Sequence, residues 1–301
     1  MTESRNIITI NGLPNIGNSC YLNSSIQLCK LITGIKFKNA EEKQNSFITD
    51  IQTVFQSGNN DDEINRYMRL YSFIANNLQY QMGSQQDNCE VVQFVIDKYV
   101  DLIKNKSKLI TRFNQVISCS NCSKVRICSE QKESMLISHE LNNSSNEEID
   151  FNDFFSNIIT VQNVESINTE CGCASPVPKV QTILTKLPEF LFIKVGRCRY
   201  DTTKLYKRLK FNFEFQLDYP LHLENYINGT DNKRKIKKYV LVGIVIHHGD
   251  TSHTGHYSSL IRGNVSDRWV YCDDMRVVEI DIDSQLEYIQ KNCSLLLYKS
   301  N

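Results

Sequence analysis

The apolar residues of this chain follow a helical spacing in its first third and a strand-like spacing in most of the rest. The clearest helical pattern has successive offsets of three, one, three, three and one, and its members are Val92, Val95, Ile96, Tyr99, Leu102 and Ile103. Such offsets place one apolar stripe on one face of a helix. After Lys108 the chain has short apolar runs between turn residues, which is typical of strands. Helices first and strands later predict an α+β fold.

Other segments follow the same division. One helix is predicted from about Ser19 onward, because Leu22, Ile26 and Cys29 recur at offsets of four and three. The segment 47–78 is predicted to be helical with a loop at 58–62, which is rich in Gly, Asn and Asp. Beyond Lys186 the predicted strands are 191–195, 239–246, 257–261, 269–271, 277–280 and 295–298.

The charge balance gives no indication of a nucleic-acid or membrane partner. Lys plus Arg number 34 and Asp plus Glu also number 34, so the formal net charge is zero. No apolar run reaches the length of a membrane span, and the N-terminus lacks the pattern of a signal peptide. We therefore expect a soluble, intracellular protein of the cytoplasm and/or nucleus. The basic stretch 228–238 is predicted to be a solvated loop, with nuclear targeting or contact with an acidic surface as the alternative.

Cys20 lies where a loop turns into the first predicted helix, just after Asn15, Gly17 and Asn18. The partial positive charge at a helix N-terminus favours a thiolate, so this position suits a nucleophile. Free cysteine is also among the most buried residue types, and the local sequence leaves both interpretations open. Asn15 either shapes the turn or points its amide at an oxyanion.

Two close cysteine pairs predict a metal site. Cys119 and Cys122 have the C-x-x-C spacing of tetrahedral zinc sites, and Cys171 and Cys173 follow about fifty residues later. The alternative is four reduced cysteines in loops, and Cys128 is a substitute ligand. Eleven cysteines is an odd number, which suits a reducing compartment better than a disulfide framework.

Four of the six histidines fall in the segment 247–256. Gly, Thr and Ser fill most of the gaps between them, which disfavours a metal site. The other interpretation is a loop that delivers His256 to the start of a strand. Asp273 and Asp274 follow the next strand, where a carboxylate can orient one imidazole nitrogen while the other faces a thiol.

The helix with the clearest pattern has two acids at its start. Asp87 is a predicted N-cap, and Glu90 follows three residues later as in a capping box. The alternative is that their exposed carboxylates bind a basic partner.

Taken in order, these motifs resemble those of the ubiquitin-specific protease family of deubiquitinating cysteine peptidases, over nearly the entire chain. Residues 12–27 are similar to its cysteine box, 83–90 to its Gln-Gln-Asp box and 187–193 to its central strand. Residues 239–257, 269–277 and 296–298 are similar to its histidine box and closing strand.

The resemblance implies a papain-like cysteine peptidase core with thumb, palm and zinc-bearing fingers. It implies one catalytic domain over 1–301, divided into a helical thumb at about 12–112, fingers at about 113–185 and a β-rich palm at about 186–301 that also contributes finger strands. One structural zinc at the fingertips and no catalytic cofactor are implied. The implied zinc ligands are Cys119, Cys122, Cys171 and Cys173.

The resemblance also implies roles for single residues. Cys20 is the implied nucleophile, His256 the general base, Asp273 the orienting acid and Asn15 the oxyanion donor, with Asp274 as the alternative acid. The residues implied to contact the basic tail of ubiquitin and its Gly-Gly end are Gln86, Asp87, Glu90, Gly255 and Tyr257.

The implied activity is thiol-dependent hydrolysis of the isopeptide or peptide bond after the C-terminal glycine of ubiquitin. Ubiquitin and ubiquitinated proteins are the implied partners, and we expect a monomer. The alternatives are a ubiquitin-binding scaffold without turnover and a protease for another ubiquitin-like modifier. The sequence departs from the family pattern at the C-x-C pair, at Arg197 and its neighbours, and at Cys272, where an aromatic residue is frequent.

Overall fold

The structure of the protein is a computed structural model that describes residues 10–32, 47, 50–51, 54, 61–122, 124–141, 148–152, 161–163, 170–173, 178–197, 204–205, 207–251, 254–263 and 268–301. The described helices are α1 (Cys20–Cys29), α2 (Asp61–Leu78), α3 (Asn88–Leu102), α4 (Leu223–Ile227) and α5 (Leu286–Asn292). Helices dominate before residue 110 and strands after it, so the predicted α+β class is confirmed.

Fourteen strands are described, and they form three sheets. In chain order they are β1 (Thr111–Cys119), β2 (Val125–Ser134), β3 (Leu136–Glu140), β4 (Glu148–Asp150), β5 (Val161–Asn163), β6 (Pro178–Lys186), β7 (Phe190–Gly196), β8 (Arg208–Lys210), β9 (Glu214–Pro220), β10 (Arg234–His248), β11 (His256–Arg262), β12 (Trp269–Asp273), β13 (Arg276–Ile280) and β14 (Cys293–Ser300).

The largest sheet has eight strands in the order β13-β12-β11-β10-β14-β7-β3, with β9 paired to the first half of β10. Its pairs are antiparallel except β3 with β7. A second sheet has the order β2-β1-β6-β5, and β4 pairs with β8 in a short parallel ribbon. Although β3 lies in the segment expected to form the fingers, it belongs to the large sheet.

Both faces of the large sheet are buried at its central strands. Successive side chains of a strand point to opposite faces, so neighbouring residues belong to different apolar clusters. Phe192 and Leu295 pack with the helices, whereas Ile193 and Leu296 belong to a second cluster on the other face. Two buried faces explain why β7 and β14 contain nearly continuous apolar runs rather than alternating ones.

Helix α1 is the element that places the site. All ten of its residues are buried, and it packs between α3 on one side and β10, β11 and β12 on the other. Its start at Cys20 and the N-cap of α3 at Asp87 agree with the predicted helices. Its N-terminus therefore lies beside the end of β10 and the start of β11.

Two predicted loops are wrong in part. The predicted loop 58–62 ends early, because Asp61 and Asp62 already form the first turn of α2, where carboxylates are favoured by the helix dipole. Residues 58–60 lie outside the described part of the chain. The predicted basic loop 228–238 becomes strand β10 from Arg234 onward, and Arg234 pairs with Asp218 of β9. Charged side chains are common on such an exposed edge ribbon.

No helix within the described residues is both long enough and apolar enough to cross a membrane.

Candidate active site

The turn before α1 brings Cys20 to the helix N-terminus. Gly17 and Asn18 both have positive φ, at 89° and 51°, in a conformation that glycine and asparagine tolerate best. Ser19 is the N-cap, and its Oγ accepts a hydrogen bond from Ile16 N at 3.0 Å. Cys20 is only 2% exposed, so its thiol lies at a sheltered position with the positive end of the helix behind it.

His256 begins β11, next to Cys20. The β10–β11 pair places it opposite His248, and Gly255 makes the tight approach just before it. A Cβ atom on Gly255 would lie 2.5 Å from His247 Nε2 and 2.7 Å from His248 O, so only glycine fits. The loop thus delivers a single histidine to the thiol, as the sequence predicts.

The two adjacent acids separate into different contacts. His256 Nε2 and Asp273 Oδ1 are 2.5 Å apart. Asp273 is the last residue of β12, whereas Asp274 follows it with φ 50° and has a carboxylate oxygen within 4.8 Å of a ring nitrogen of His256. In this structure Asp273 is therefore the acid that is hydrogen-bonded to the imidazole, while Asp274, the alternative orienting acid, lies close by and hydrogen-bonds to side-chain amides.

Asp274 binds two asparagine amides instead. Asn15 Nδ2 donates to its Oδ2 at 2.8 Å, and Asn23 Nδ2 donates to its Oδ1 at 2.7 Å. Its carbonyl accepts from Leu13 N at 2.9 Å, and the Oδ1 atom of Asn23 accepts from Tyr67 Oη at 2.5 Å. A side-chain amide has two N–H donors, so Asp274 orients Asn15 with one of them.

The electrostatics of the site favour an imidazolium beside the thiol. The hydrogen bond with Cys20, helped by that with Asp273, raises the pKa of His256 to about 9 against the opposing effect of burial. Burial lowers the pKa of His247 and of His248 to about 4, so both neighbouring imidazoles are neutral at pH 7. His256 is the charged histidine of the three at that pH.

A buried lysine supports the histidine loop from behind. Lys204 is 3% exposed, and its Nζ donates to His247 O at 2.5 Å and to Asn292 Oδ1 at 2.8 Å. Its backbone N–H donates to Asp250 O at 3.0 Å. These contacts connect His247 and Asp250, on either side of the end of β10, to the single residue Lys204.

The acids at the start of α3 are partly engaged within the chain. Asp87 Oδ1 accepts from Cys89 N at 2.8 Å as an N-cap, and Oδ2 pairs with Lys194 Nζ at 2.9 Å. Glu90 is exposed and accepts a hydrogen bond from Tyr80 Oη. The capping interpretation therefore holds for Asp87, while Glu90 keeps its carboxylate at the surface.

The other residues expected to contact substrate lie around the same loop. Gln86 is half-buried and donates to Ser84 Oγ at 2.7 Å, while the neighbouring Gln85 donates to Gly255 O. The rings of Tyr257 and His247 pack with centroids 4.6 Å apart. Gln85 thus connects the loop before α3 to the loop before His256.

The four predicted metal ligands come together between β1 and β6. Their sulfur atoms all lie within 4.8 Å of one another, and Cys119 Sγ is 3.9 Å from Cys173 Sγ. Zinc–sulfur bonds of about 2.3 Å in a tetrahedron separate the sulfurs by about 3.8 Å. The cluster, made of Cys119, Cys122, Cys171 and Cys173, therefore fits a tetrahedral metal ion, and Cys128 lies apart from it in β2.

Hydrogen bonds within the cluster shift the pKa values of two of its thiols in opposite directions. Although burial opposes it, backbone N–H groups of Asn121 and Cys122 hold the pKa of Cys119 below its ordinary value. Hydrogen bonds with Cys122 and then Cys171 raise the pKa of Cys173 to about 12, a penalty on the thiolate that a bound cation offsets. Glu170 joins the two halves of the site through Arg126 at 3.2 Å.

Several residues of the site were not among the sequence candidates. Asn23 lies one turn after Cys20, and a helical wheel places the two residues on neighbouring positions of the same face of α1. Lys194 had a weaker signal, as a cation within an apolar strand. His248 belonged to the histidine cluster, but nothing in the sequence indicated its contacts, and Lys204 had no signal because it acts through contacts between distant segments.

A thiol at a helix N-terminus, an imidazole at a strand start and a carboxylate on the next strand form the site of a cysteine peptidase. The ubiquitin carboxyl-terminal hydrolase family model matches residues 11–298, so the chain belongs to that family. The predicted resemblance to ubiquitin-specific proteases is confirmed.

Relatives and solved structures agree with this family. Ubiquitin carboxyl-terminal hydrolase 20 of Arabidopsis thaliana is 25% identical over 92% of this chain and 42% of its own length. Ubiquitin carboxyl-terminal hydrolase 15 of Schizosaccharomyces pombe is 34% identical over 35% of this chain and 9% of its own. The chain thus spans less than half the length of these relatives.

The fold is similar to that of the SAGA Ubp8/Sgf11/Sus1/Sgf73 DUB module bound to ubiquitin aldehyde. The TM-score is 0.73 at 19% identity, over 100% of this chain and 72% of that one. The same module bound to monoubiquitin gives a TM-score of 0.72 at 18% identity, over 97% of this chain and 69% of that one.

Proposed function

We propose that this chain is a deubiquitinase, which hydrolyses the isopeptide or peptide bond after the C-terminal glycine of ubiquitin. The observation that carries the proposal is the joint placement of Cys20, His256 and Asp273, with Asn15 held beside them by Asp274. Structures related in fold are bound to ubiquitin aldehyde and to monoubiquitin, which supports ubiquitin as the partner.

In the proposed reaction the Cys20 thiolate attacks the carbonyl carbon of the terminal glycine. The oxyanion that forms accepts hydrogen bonds from the amide of Asn15 and a backbone N–H group. The His256 imidazolium gives its proton to the leaving amine as the C–N bond breaks. Neutral His256 then takes a proton from water, which attacks the thioester, and Cys20 leaves with its electron pair.

We propose that substrate residues lie along the path between the α3 N-terminus and the histidine loop. Glu90 has an exposed carboxylate for the basic tail of ubiquitin, with Gln86 and Asp87 next to it. Gly255 and Tyr257 border the approach to His256, where a glycine pair could pass without a side-chain clash.

A second candidate substrate is another ubiquitin-like modifier. The observation that favours it is the ion pair of Asp87 with Lys194, because this lysine already neutralises one of the two acids proposed to bind a basic tail. Neutralisation of Asp87 by Lys194 weakens the attraction of a modifier with few cations in its tail less than that of ubiquitin, which has a basic tail.

We propose that one structural zinc ion is held by Cys119, Cys122, Cys171 and Cys173. Four thiolate ligands complete a tetrahedral site and leave no open position for substrate, so the ion stabilises the two strand ends that it joins. The proposed setting is reducing and intracellular, as expected from the odd number of cysteines and their close pairs. A monomer is the proposed state.

Hydrolysis of a fluorogenic ubiquitin C-terminal amide tests the proposed activity. Cys20→Ser is expected to abolish turnover. Cys29→Ala is the matched control, because it removes a thiol from the same helix whose pKa burial raises to about 12 and which stays protonated.

Full activity of Cys20→Ser would refute the mechanism. Tight ubiquitin binding by the wild-type chain with no hydrolysis would favour a scaffold instead. Amides of several ubiquitin-like modifiers, compared in parallel, separate the two candidate substrates.

A further inference from the structure

A column of three rings ends on His256. His248 lies directly opposite His256 in the β10–β11 pair, and the two ring centroids are 6.0 Å apart with 29° between the ring planes. Tyr288 of α5 packs on His248 with centroids 5.7 Å apart and 21° between the planes. Direct cross-strand neighbours share one face of a sheet, so this contact follows from the strand register.

Hydrogen bonds fix the ring of His248 at both nitrogens. Its Nδ1 is 2.6 Å from Tyr288 Oη, and its Nε2 is 2.6 Å from Ser258 Oγ. A neutral imidazole has one donor and one acceptor, and hydroxyl groups can serve either role. Both ring nitrogens are therefore satisfied, and the ring is held nearly parallel to that of His256 at a centroid distance of 6.0 Å.

His256 is held in its ring plane by two hydrogen bonds. Asp273 binds one of its nitrogens, Cys20 makes the second hydrogen bond, and the side chain is 38% exposed. These two bonds still permit the ring to tilt about the line that joins their partners. A packed surface against its face removes this freedom.

The charges around the column allow this contact. The groups that affect His248 after burial are His256 of β11, Asp273 of β12 and Lys204, and the net result is a pKa of about 4. His248 is thus neutral at pH 7 and does not repel the imidazolium of His256.

Resting on the proposed peptidase function, we propose that His248 is a positioning residue for His256. Tyr288 and Ser258 hold the ring of His248, and its face keeps the imidazole of His256 aligned between Cys20 and Asp273. His248 touches no reacting atom in this role.

Alkylation of Cys20 by chloroacetamide tests this role without any substrate. Mass spectrometry of the Cys20 peptide gives the rate for that residue alone. For His248→Ala we expect the rate at pH 7 to fall about tenfold, because a misaligned imidazole supports less thiolate. At pH 10, above the pKa of about 9 for His256, the imidazole is neutral with or without His248, so the rate should stay within about twofold of wild type.

Three variants accompany it. His248→Phe keeps a ring and is expected to retain most of the rate at pH 7, and Tyr288→Phe removes one hydroxyl and should lower it about threefold. His222→Ala is the matched control, because His222 is an exposed histidine at the start of α4. It should leave the rate unchanged.

A wild-type rate for His248→Ala at pH 7 would overturn the proposal. Equal losses at pH 7 and pH 10 would also overturn it, because they indicate general damage to the fold rather than a change in the Cys20–His256 pair. If ubiquitin amides are not hydrolysed by the wild type, the proposed function fails, but the alkylation pattern still decides the role of His248.

Discussion

Substitution of Asp274 tests how Asn15 is oriented, because the Asp274 carboxylate accepts hydrogen bonds from Asn15 and Asn23 at 2.8 and 2.7 Å. Asp274→Asn is the least disruptive change, since asparagine tolerates the φ of 50° at this position. The new amide has one oxygen and one NH2 group in place of two oxygens, so one of the two neighbouring amides then faces a donor instead of an acceptor. Asn23 is 3% exposed and Asn15 is exposed, so the buried Asn23 is expected to keep its acceptor.

The magnitude follows from the contact that Asn15 loses. A hydrogen bond to a charged group contributes about 1.5–3 kcal/mol. At 1.36 kcal/mol for each factor of ten, kcat should fall by about 10- to 100-fold. The upper bound is Asn15→Ala, for which removal of an oxyanion donor predicts a loss of about 10² to 10³ in kcat. KM should change by less than about twofold, because the oxyanion exists only in the transition state.

Steady-state hydrolysis of a ubiquitin C-terminal fluorogenic amide measures both constants. The double variant Asn15→Ala/Asp274→Asn is the decisive comparison, because residues that act through one another have non-additive effects. If Asp274 acts through Asn15, the double variant should be about as slow as Asn15→Ala alone. Fully additive losses, or an unchanged kcat for Asp274→Asn in a folded protein, would refute this reasoning.

Four further predictions concern the pH dependence of activity, the pH dependence of stability, the zinc site and the histidine loop. Activity should fall as the pH rises through about 9, where His256 loses its proton, and Asp273→Asn should move this fall to lower pH; a pH profile of kcat/KM checks both. The pKa of His256 is raised above 6.5, so protonated His256 also stabilises the fold. This contribution is complete below about pH 6.5 and is lost as the pH rises through about 9, which melting temperatures measured over this pH range check. Purified chain should contain about one zinc ion by elemental analysis, and Cys171→Ser should lower both this content and the melting temperature. Gly255→Ala should reduce kcat by about 10², whereas Gly229→Ala, with open space at its Cβ position, should retain activity in the same assay.

Helix α3 could be predicted from its apolar stripe, and β7 and β14 could be predicted from the nearly continuous apolar runs that two buried sheet faces require. The start of α3 has a local signal in the Asp87 cap, whereas Ser19 at the start of α1 makes no side-chain capping hydrogen bond and the helix is indicated by its apolar spacing. The strand that begins at Arg234 could not be predicted in the same way. Its charged residues have the composition of a loop, and they become a strand only by pairing with β9. Local signals thus predict elements that carry their own caps or apolar faces, and not those that depend on a partner strand.

The candidate site divides in the same way. Cys20 and His256 are preceded by motifs with positive-φ residues, so their placement has a local cause. Asp273 and Asp274 are adjacent and identical in type, and only their hydrogen bonds with His256 and with Asn15 and Asn23 distinguish them in the folded chain. The contacts of Lys194, Lys204 and His248 join segments far apart in the chain, so they appear only once the sheet is assembled.

The most direct test of the central claim is covalent capture by a ubiquitin whose C-terminus carries an electrophile. Mass spectrometry of the digested adduct locates the bond. We predict one ubiquitin per chain, attached to Cys20, and strongly reduced capture by His256→Ala at pH 7. A folded protein that is not labelled, or one that is labelled at another cysteine, would contradict the assignment of Cys20 as the nucleophile.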